Sequence, residues 1–190
     1  MTQFRNLLNT NIKYRDSTIH LKPSEIHVAK TPTLIWTTLG SCISIIFYHP
    51  QRQISSICHP QLPSRRKEPE YCCDHCPVKC LQDVDPANEF KYVTCTVFYM
   101  IRKFHNIGIS KNDIQVKLFG GAKILKESSD ITSVGPKNVV IAKQLLNDNG
   151  LKIMGENTGG NFGRTIYLYS DTGVVLHKKL PKSQVYQQGL

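Results

Sequence analysis

Acidic side chains are scarce in this chain. Only 14 Asp and Glu stand against 24 Lys and Arg among 190 residues, a formal net charge of +10. That balance excludes a polyanionic surface and favours an anionic partner: nucleic acid, an anionic membrane surface or an acidic protein. Long apolar runs are absent too. No stretch approaches the ~20 uninterrupted apolar residues of a membrane helix, so membrane insertion is not expected. The opening MTQFRNLLNTNIKYRD lacks the apolar core of a secretory signal, and a cytoplasmic location is expected. No RNP-like, zinc-finger or homeodomain pattern occurs. The basic residues are scattered, apart from Arg65-Arg66-Lys67 and the group Lys178, Lys179 and Lys182. The charge therefore reads as a solvated basic face suited to an acidic protein, with no nucleic acid as partner. Gly120-Gly121 is not a phosphate loop, because no Lys-Ser/Thr follows at the required spacing.

Cysteine is not scarce. Seven is an odd number, so complete internal pairing is excluded, and in a cytoplasmic chain thiols or metal ligands are the better reading. Four of them, Cys72, Cys73, Cys76 and Cys80, crowd one Pro-rich, charged stretch, with His75 among them. Cys42, Cys58 and Cys95 stand alone.

The length suits one compact domain with a real core. Residues 33–39, 43–48 and 53–58 are rich in β-branched and aromatic residues and read as three adjacent strands. Residues 88–106 carry Phe90, Val93, Val97, Met100, Ile101 and Phe104 at helical spacing, with Asn88 placed to cap the start. Residues 114–119 read as a strand, 136–149 as a second helix with Pro136 in its first turn, and 151–154, 163–169 and 173–177 as further strands. Asp171-Thr172-Gly173 reads as the turn between the last two. The expected division is a flexible N-terminal arm over 1–22, a domain over 23–182 with a Cys-rich insertion at about 64–86, and a tail over 183–190. Strands, helix, strand, helix, strands make this an α+β domain with layered, largely antiparallel sheets.

The stretch TTLGSCISIIFYHP, residues 37–50, carries the first chemical signal. Cys42 follows a Gly-Ser pair and opens an apolar strand. A cysteine nucleophile acts as the thiolate, needs a base to take its proton, and needs backbone N–H groups facing the developing oxyanion. If 43–48 and 53–58 pair as a hairpin, Cys42 and His59 meet at its open end, while His49 falls at the opposite end.

These residues also resemble a known family. LGSC followed by H-x-x-LP, with His59 seventeen residues after Cys42, is similar to the signature of the CheD family. KLFGGAKIL (117–125), VGPKNV (134–139) and ENTGGNFGRTIYLYSDTGVVLHKKL (156–180) match its later segments in order. The resemblance implies a cysteine-hydrolase-like α/β/β/α sandwich and a protein-glutamine glutaminase. Such an enzyme converts glutamines on the cytoplasmic helices of chemoreceptors to glutamate, in chemotaxis adaptation. It implies Cys42 as nucleophile, His59 as base and acid, and an assisting threonine. Thr37 and Thr38 both stand nearby and one family spacing falls on Trp36; Thr37 is the better candidate. No cofactor is implied for catalysis. Chemoreceptors are the implied partners, together with a CheC-like phosphatase docking near Gly120, Gly121 and Ala122. The cluster YCCDHCPVKC departs from the family pattern. Its spacing suits a structural zinc on Cys73, Cys76, Cys80 and either Cys72 or His75, with an iron–sulfur cluster as the lesser reading. A non-catalytic adaptor and a redox or metal sensor are the alternative functions.

Overall fold

The computed structural model describes residues 14, 16–64, 90–123 and 133–180. Among these, the elements run β1 (Thr18–His20), β2 (Ile26–Ala29), β3 (Leu34–Leu39), β4 (Ile43–His49), β5 (Ile54–Cys58), α1 (Val93–Asn106), β6 (Gln115–Gly120), α2 (Val134–Asp148), β7 (Ile153–Thr158), β8 (Arg164–Tyr169) and β9 (Val174–Lys179). The strands form two sheets, of order β1-β3-β8-β9 and β2-β5-β4-β6-β7. All neighbouring pairs are antiparallel except β1/β3 and β6/β7.

Strand β4 is buried along its whole length, which explains its nearly unbroken apolar run. Ile43, Ile45 and Phe47 face the helices and pack with Val97, Met100 and Phe104 of α1 and Ala142 and Leu146 of α2. Ile46 points the other way and packs with Ile35, Leu39 and Ile166 of the four-stranded sheet. Each such fully buried side chain contributes roughly 1.5–3 kcal/mol of transfer free energy. Both helices lie on the outer face of the five-stranded sheet, so the described layers run helix, sheet, sheet. The outer face of the four-stranded sheet carries Leu34 and Tyr169 with Tyr14 packed on them, rather than a helix of the described residues.

The α+β class, the two main helices and the largely antiparallel sheets are as the sequence indicates. Three details differ. The strands at 34–39 and 43–49 are not adjacent: β3 pairs with β1 and β8 in one sheet, and the chain crosses to the other at Gly40-Ser41-Cys42. α1 begins at Val93, not near residue 88. Tyr92 is extended and bridges Leu62, and the Val93 N–H donates to the Leu62 carbonyl at 2.9 Å, so pairing takes the residues that the apolar stripe would have made helical. Thr18–His20 lies within the stretch expected to be an arm, yet it pairs with β3, and Leu21 is buried beside it. The cysteine cluster at 72–80, Asn88, residues 1–13 and the tail from 181 lie outside the described residues.

Candidate active site

The site forms where the two sheets face each other at one end of the sandwich. β4 and β5 pair antiparallel, with Ile46 opposite Ile57. Continuing that register places Ser44 opposite His59, and the Ile43 N–H does reach the Pro60 carbonyl, at 3.3 Å. Side chains alternate across a sheet, so Cys42, Ser44 and His59 belong to the same face, the one turned toward the other sheet. Cys42 is partly buried and packs on the apolar cluster between the sheets. The β4–β5 hairpin thus brings Cys42 and His59 to one end and one face. His49 is at the far end, where its Nδ1 accepts the Arg52 N–H at 3.1 Å and serves the turn.

Thr37 reaches His59 from the opposite sheet. Its Oγ1 lies 2.7 Å from His59 Nδ1 and 2.7 Å from the Leu21 carbonyl oxygen. Thr37 is fully buried and His59 is 1% exposed. The partners fix the proton positions. A carbonyl only accepts, so the threonine hydroxyl donates to Leu21 and its oxygen accepts from Nδ1–H. His59 is therefore the Nδ1–H tautomer, and its Nε2, buried and without a hydrogen-bond partner among the described residues, carries the free lone pair. Thr38 points away and contacts Thr165 at 3.1 Å; Trp36 is on the outer face, stacked on His20 at 3.9 Å.

Burial sets the resting charges. It lowers His59 from 6.5 to about 4, a shift that the Leu21 carbonyl partly opposes and nearby His20 reinforces. It raises the Cys42 thiol from 9.0 to about 11, partly opposed by the residue's own N–H. At neutral pH both groups are uncharged, so the thiol is not the pre-activated thiolate that a Cys-His pair leads one to expect.

This has a consequence for stability. Because the folded value of His59 lies below its ordinary 6.5, protons favour the unfolded chain. Its contribution is complete above about pH 6.5 and is lost as pH falls toward about 4, a difference of about 3 kcal/mol. Urea unfolding at pH 7 and pH 4.5 is expected to show most of that loss in the wild type and little of it in His59→Gln. Equal losses in both proteins would show that the imidazole is not buried neutral.

The turn that carries Cys42 is held by backbone. The Ala122 N–H donates to the Gly40 carbonyl at 2.9 Å, and the Gly121 N–H to the Cys42 carbonyl at 2.8 Å. Gly120 makes this approach feasible. At φ +101°, a Cβ there would stand 2.3 Å from the Cys42 oxygen and 2.9 Å from Ile43 Cα, both backbone atoms. Gly120, Gly121 and Ala122 are buried, so their role is support of the turn rather than an exposed surface.

Two contributors escape sequence reasoning. Asn138, fully buried on α2, donates through Nδ2 to the carbonyls of Ser41 at 3.1 Å and Gln61 at 2.9 Å. Its signal was a polar residue on the buried side of a helix, between Gly135 and Ala142. Arg164, also fully buried, bonds the Asn157 and Gly159 carbonyls and Asn157 Oδ1. It holds the loop whose Gly159 N–H donates to the Gly120 carbonyl at 2.8 Å. Here the signal was an arginine closing GG-x-x-GR at the head of a buried strand. Among the described residues no group of three metal-capable side chains converges. The proposed zinc ligands Cys72, Cys73, Cys76 and Cys80 lie outside the described residues.

Comparison with known proteins bears on this arrangement. A family model described as "CheD chemotactic sensory transduction" matches residues 78–179, which include Gly120, Asn138 and Arg164. A Geobacter sulfurreducens protein named "Probable chemoreceptor glutamine deamidase CheD 2" is 34% identical over 166 residues, 87% of this chain and 92% of the relative. Proteins named "Probable chemoreceptor glutamine deamidase CheD" from Maridesulfovibrio salexigens and Methanococcus maripaludis are 32% and 33% identical, over 86% and 83% of this chain and 92% of each relative. Among solved structures, the Bacillus licheniformis hypothetical protein YfiH aligns with a TM-score of 0.43 and 11% identity, over 81% of this chain and 66% of that one. With relatives matched over nearly their whole length and a family model spanning its second half, the chain belongs to the CheD family.

Proposed function

We propose that the protein is a glutamine deamidase of chemoreceptors, with Cys42 as nucleophile, His59 as general base and then acid, and Thr37 as the residue that orients the imidazole. The observation that carries this reading is the chain Leu21 carbonyl–Thr37–His59. It leaves Nε2, unpartnered among the described residues, on the sheet face that Cys42 shares. The family names of the relatives supply the substrate class.

The chemistry follows from a neutral pair. As the glutamine side chain enters, Nε2 takes the thiol proton and sulfur adds to the amide carbon, whose π electrons move to oxygen. The imidazolium then protonates the nitrogen, the C–N bond breaks, and ammonia leaves a γ-thioester on Cys42. Water enters, gives a proton to Nε2 and adds to the thioester. Collapse expels the thiolate, which recovers its proton, and glutamate remains. The enclosed setting that disfavours the resting ions keeps the paired thiolate and imidazolium strongly attracted to one another during the step.

In this reading the protein acts in the cytoplasm, where those receptor helices lie. A CheC-like phosphatase is a second partner in this reading. Because Gly120–Ala122 are buried, it would meet the cleft lined by Lys123, Pro136, Gly160 and Asn161 beside them.

The test is mass spectrometry of a purified receptor cytoplasmic fragment incubated with the protein. Deamidation appears as a gain of about one dalton at discrete glutamines, the amide-to-acid change of thiol-mediated hydrolysis. A fragment that is bound but unchanged in mass would replace this reading with the non-catalytic adaptor.

A further inference from the structure

We infer that Asn138 is a positioning residue for acyl transfer: by holding the Ser41 carbonyl, it aims the Cys42 N–H at the oxygen that becomes negative when sulfur adds. The inference deepens the deamidase reading and rests on it.

Three consecutive carbonyls, those of Gly40, Ser41 and Cys42, are each tied back, to the Ala122 N–H, Asn138 Nδ2 and the Gly121 N–H. In a trans peptide the C=O and the N–H of the next residue point in opposite directions. Tying back the Ser41 carbonyl therefore turns the Cys42 N–H away from α2. That N–H belongs to the same residue as the attacking sulfur, so it lies on the side from which a bound carbonyl carbon is attacked. The following N–H, of Ile43, is already taken by the Pro60 carbonyl. Two of the three carbonyls are thus tied by the backbone, and the one that sets the Cys42 N–H is tied by a side chain.

The same amide spans the two halves of the site. Its second proton goes to Gln61, two residues beyond His59, so one fully buried side chain fixes the nucleophile's turn relative to the strand that carries the base. Asn138 Oδ1 is buried with no partner among the described residues, so there the side chain acts through its two donors. α2 comes this close because residue 135 has no side chain: a Cβ there would stand 2.4 Å from the Ala122 carbonyl oxygen.

The test separates reactions that develop an oxyanion from one that does not. Chloroacetamide alkylates Cys42 by forming an S–C bond as chloride leaves, with no oxyanion. A peptide whose glutamine side chain ends in an aldehyde takes up the sulfur at its carbonyl carbon and places the electron pair on oxygen. Asn138→Ala is expected to lower kcat for the receptor fragment and affinity for the aldehyde each about 10²-fold, the worth of one oxyanion donor. KM and the alkylation rate are expected to stay within about 3-fold. Asn138→Ser, which keeps one small donor, is expected to fall between. Equal loss in all the readouts would reduce Asn138 to a fold-holding residue, and no loss would remove its role. In the wild type, where folding of a variant is not in question, aldehyde binding is expected to move the Cys42 amide proton resonance downfield. An unmoved resonance overturns the inference. Wild-type protein that binds the aldehyde in this way yet leaves receptor glutamines intact would refute the substrate reading while the positioning role stands.

Discussion

Replacing Cys42 with Ala is expected to lower deamidation of the receptor fragment by at least about 10⁴-fold, because sulfur is the one protein atom that bonds to the substrate carbon. The fold is expected to survive. Cys42 lies in the crossing turn rather than in the centre of either apolar cluster, and its backbone partners, Gly121 and Ala122, do not depend on the side chain. Circular dichroism and the unfolding midpoint should match the wild type closely. Cys42→Ser is expected to be nearly as inactive: burial already raises a thiol to about 11, and a hydroxyl in the same setting is far harder to ionise. Deamidation by Cys42→Ala at the wild-type rate would place the nucleophile elsewhere.

Thr37→Val is expected to lower kcat about 10²–10³-fold while KM changes little. Valine keeps the shape and removes both hydrogen bonds. The imidazole is then free to rotate or to place its proton on Nε2, where it can no longer receive the thiol proton. Leaving a buried carbonyl short of a donor also destabilises the fold by about 1–3 kcal/mol. Thr37→Ser restores the hydroxyl and is expected to recover most of the rate, which a loss caused by packing alone would not do. Steady-state kinetics of the three proteins on one receptor fragment measure the difference. A Val variant with wild-type kcat would show that the Thr37–His59 bond does not matter to the reaction.

What the sequence made legible was what sits close along the chain. The β-branched runs around residues 43–48 and 53–58 identify a hairpin, and hairpin geometry alone brings Cys42 and His59 to one end and one face. The layering is not local. Nothing in TLIWTTL says that it pairs with β8, some 130 residues later, or that Thr37 would face His59 across the gap between two sheets. β1 and β2 are three and four residues long, too short for any alternation to stand out. Asn138 hid inside a helix whose apolar stripe was clear, because a hydrogen bond to a carbonyl 97 positions away leaves no periodic trace.

The single tryptophan of the chain sits one residue before Thr37 on β3, its ring stacked 3.9 Å from His20 on the outer face of the sheet. The strand that orients the imidazole on one side therefore holds the protein's only indole on the other. A shift of β3 that alters the Thr37–His59 contact also alters how closely the indole lies against its neighbour, and so the intensity of its emission. The molecule carries a native optical reporter of its own site, readable in stopped-flow without any label and unconfused by a second emitter of the same kind.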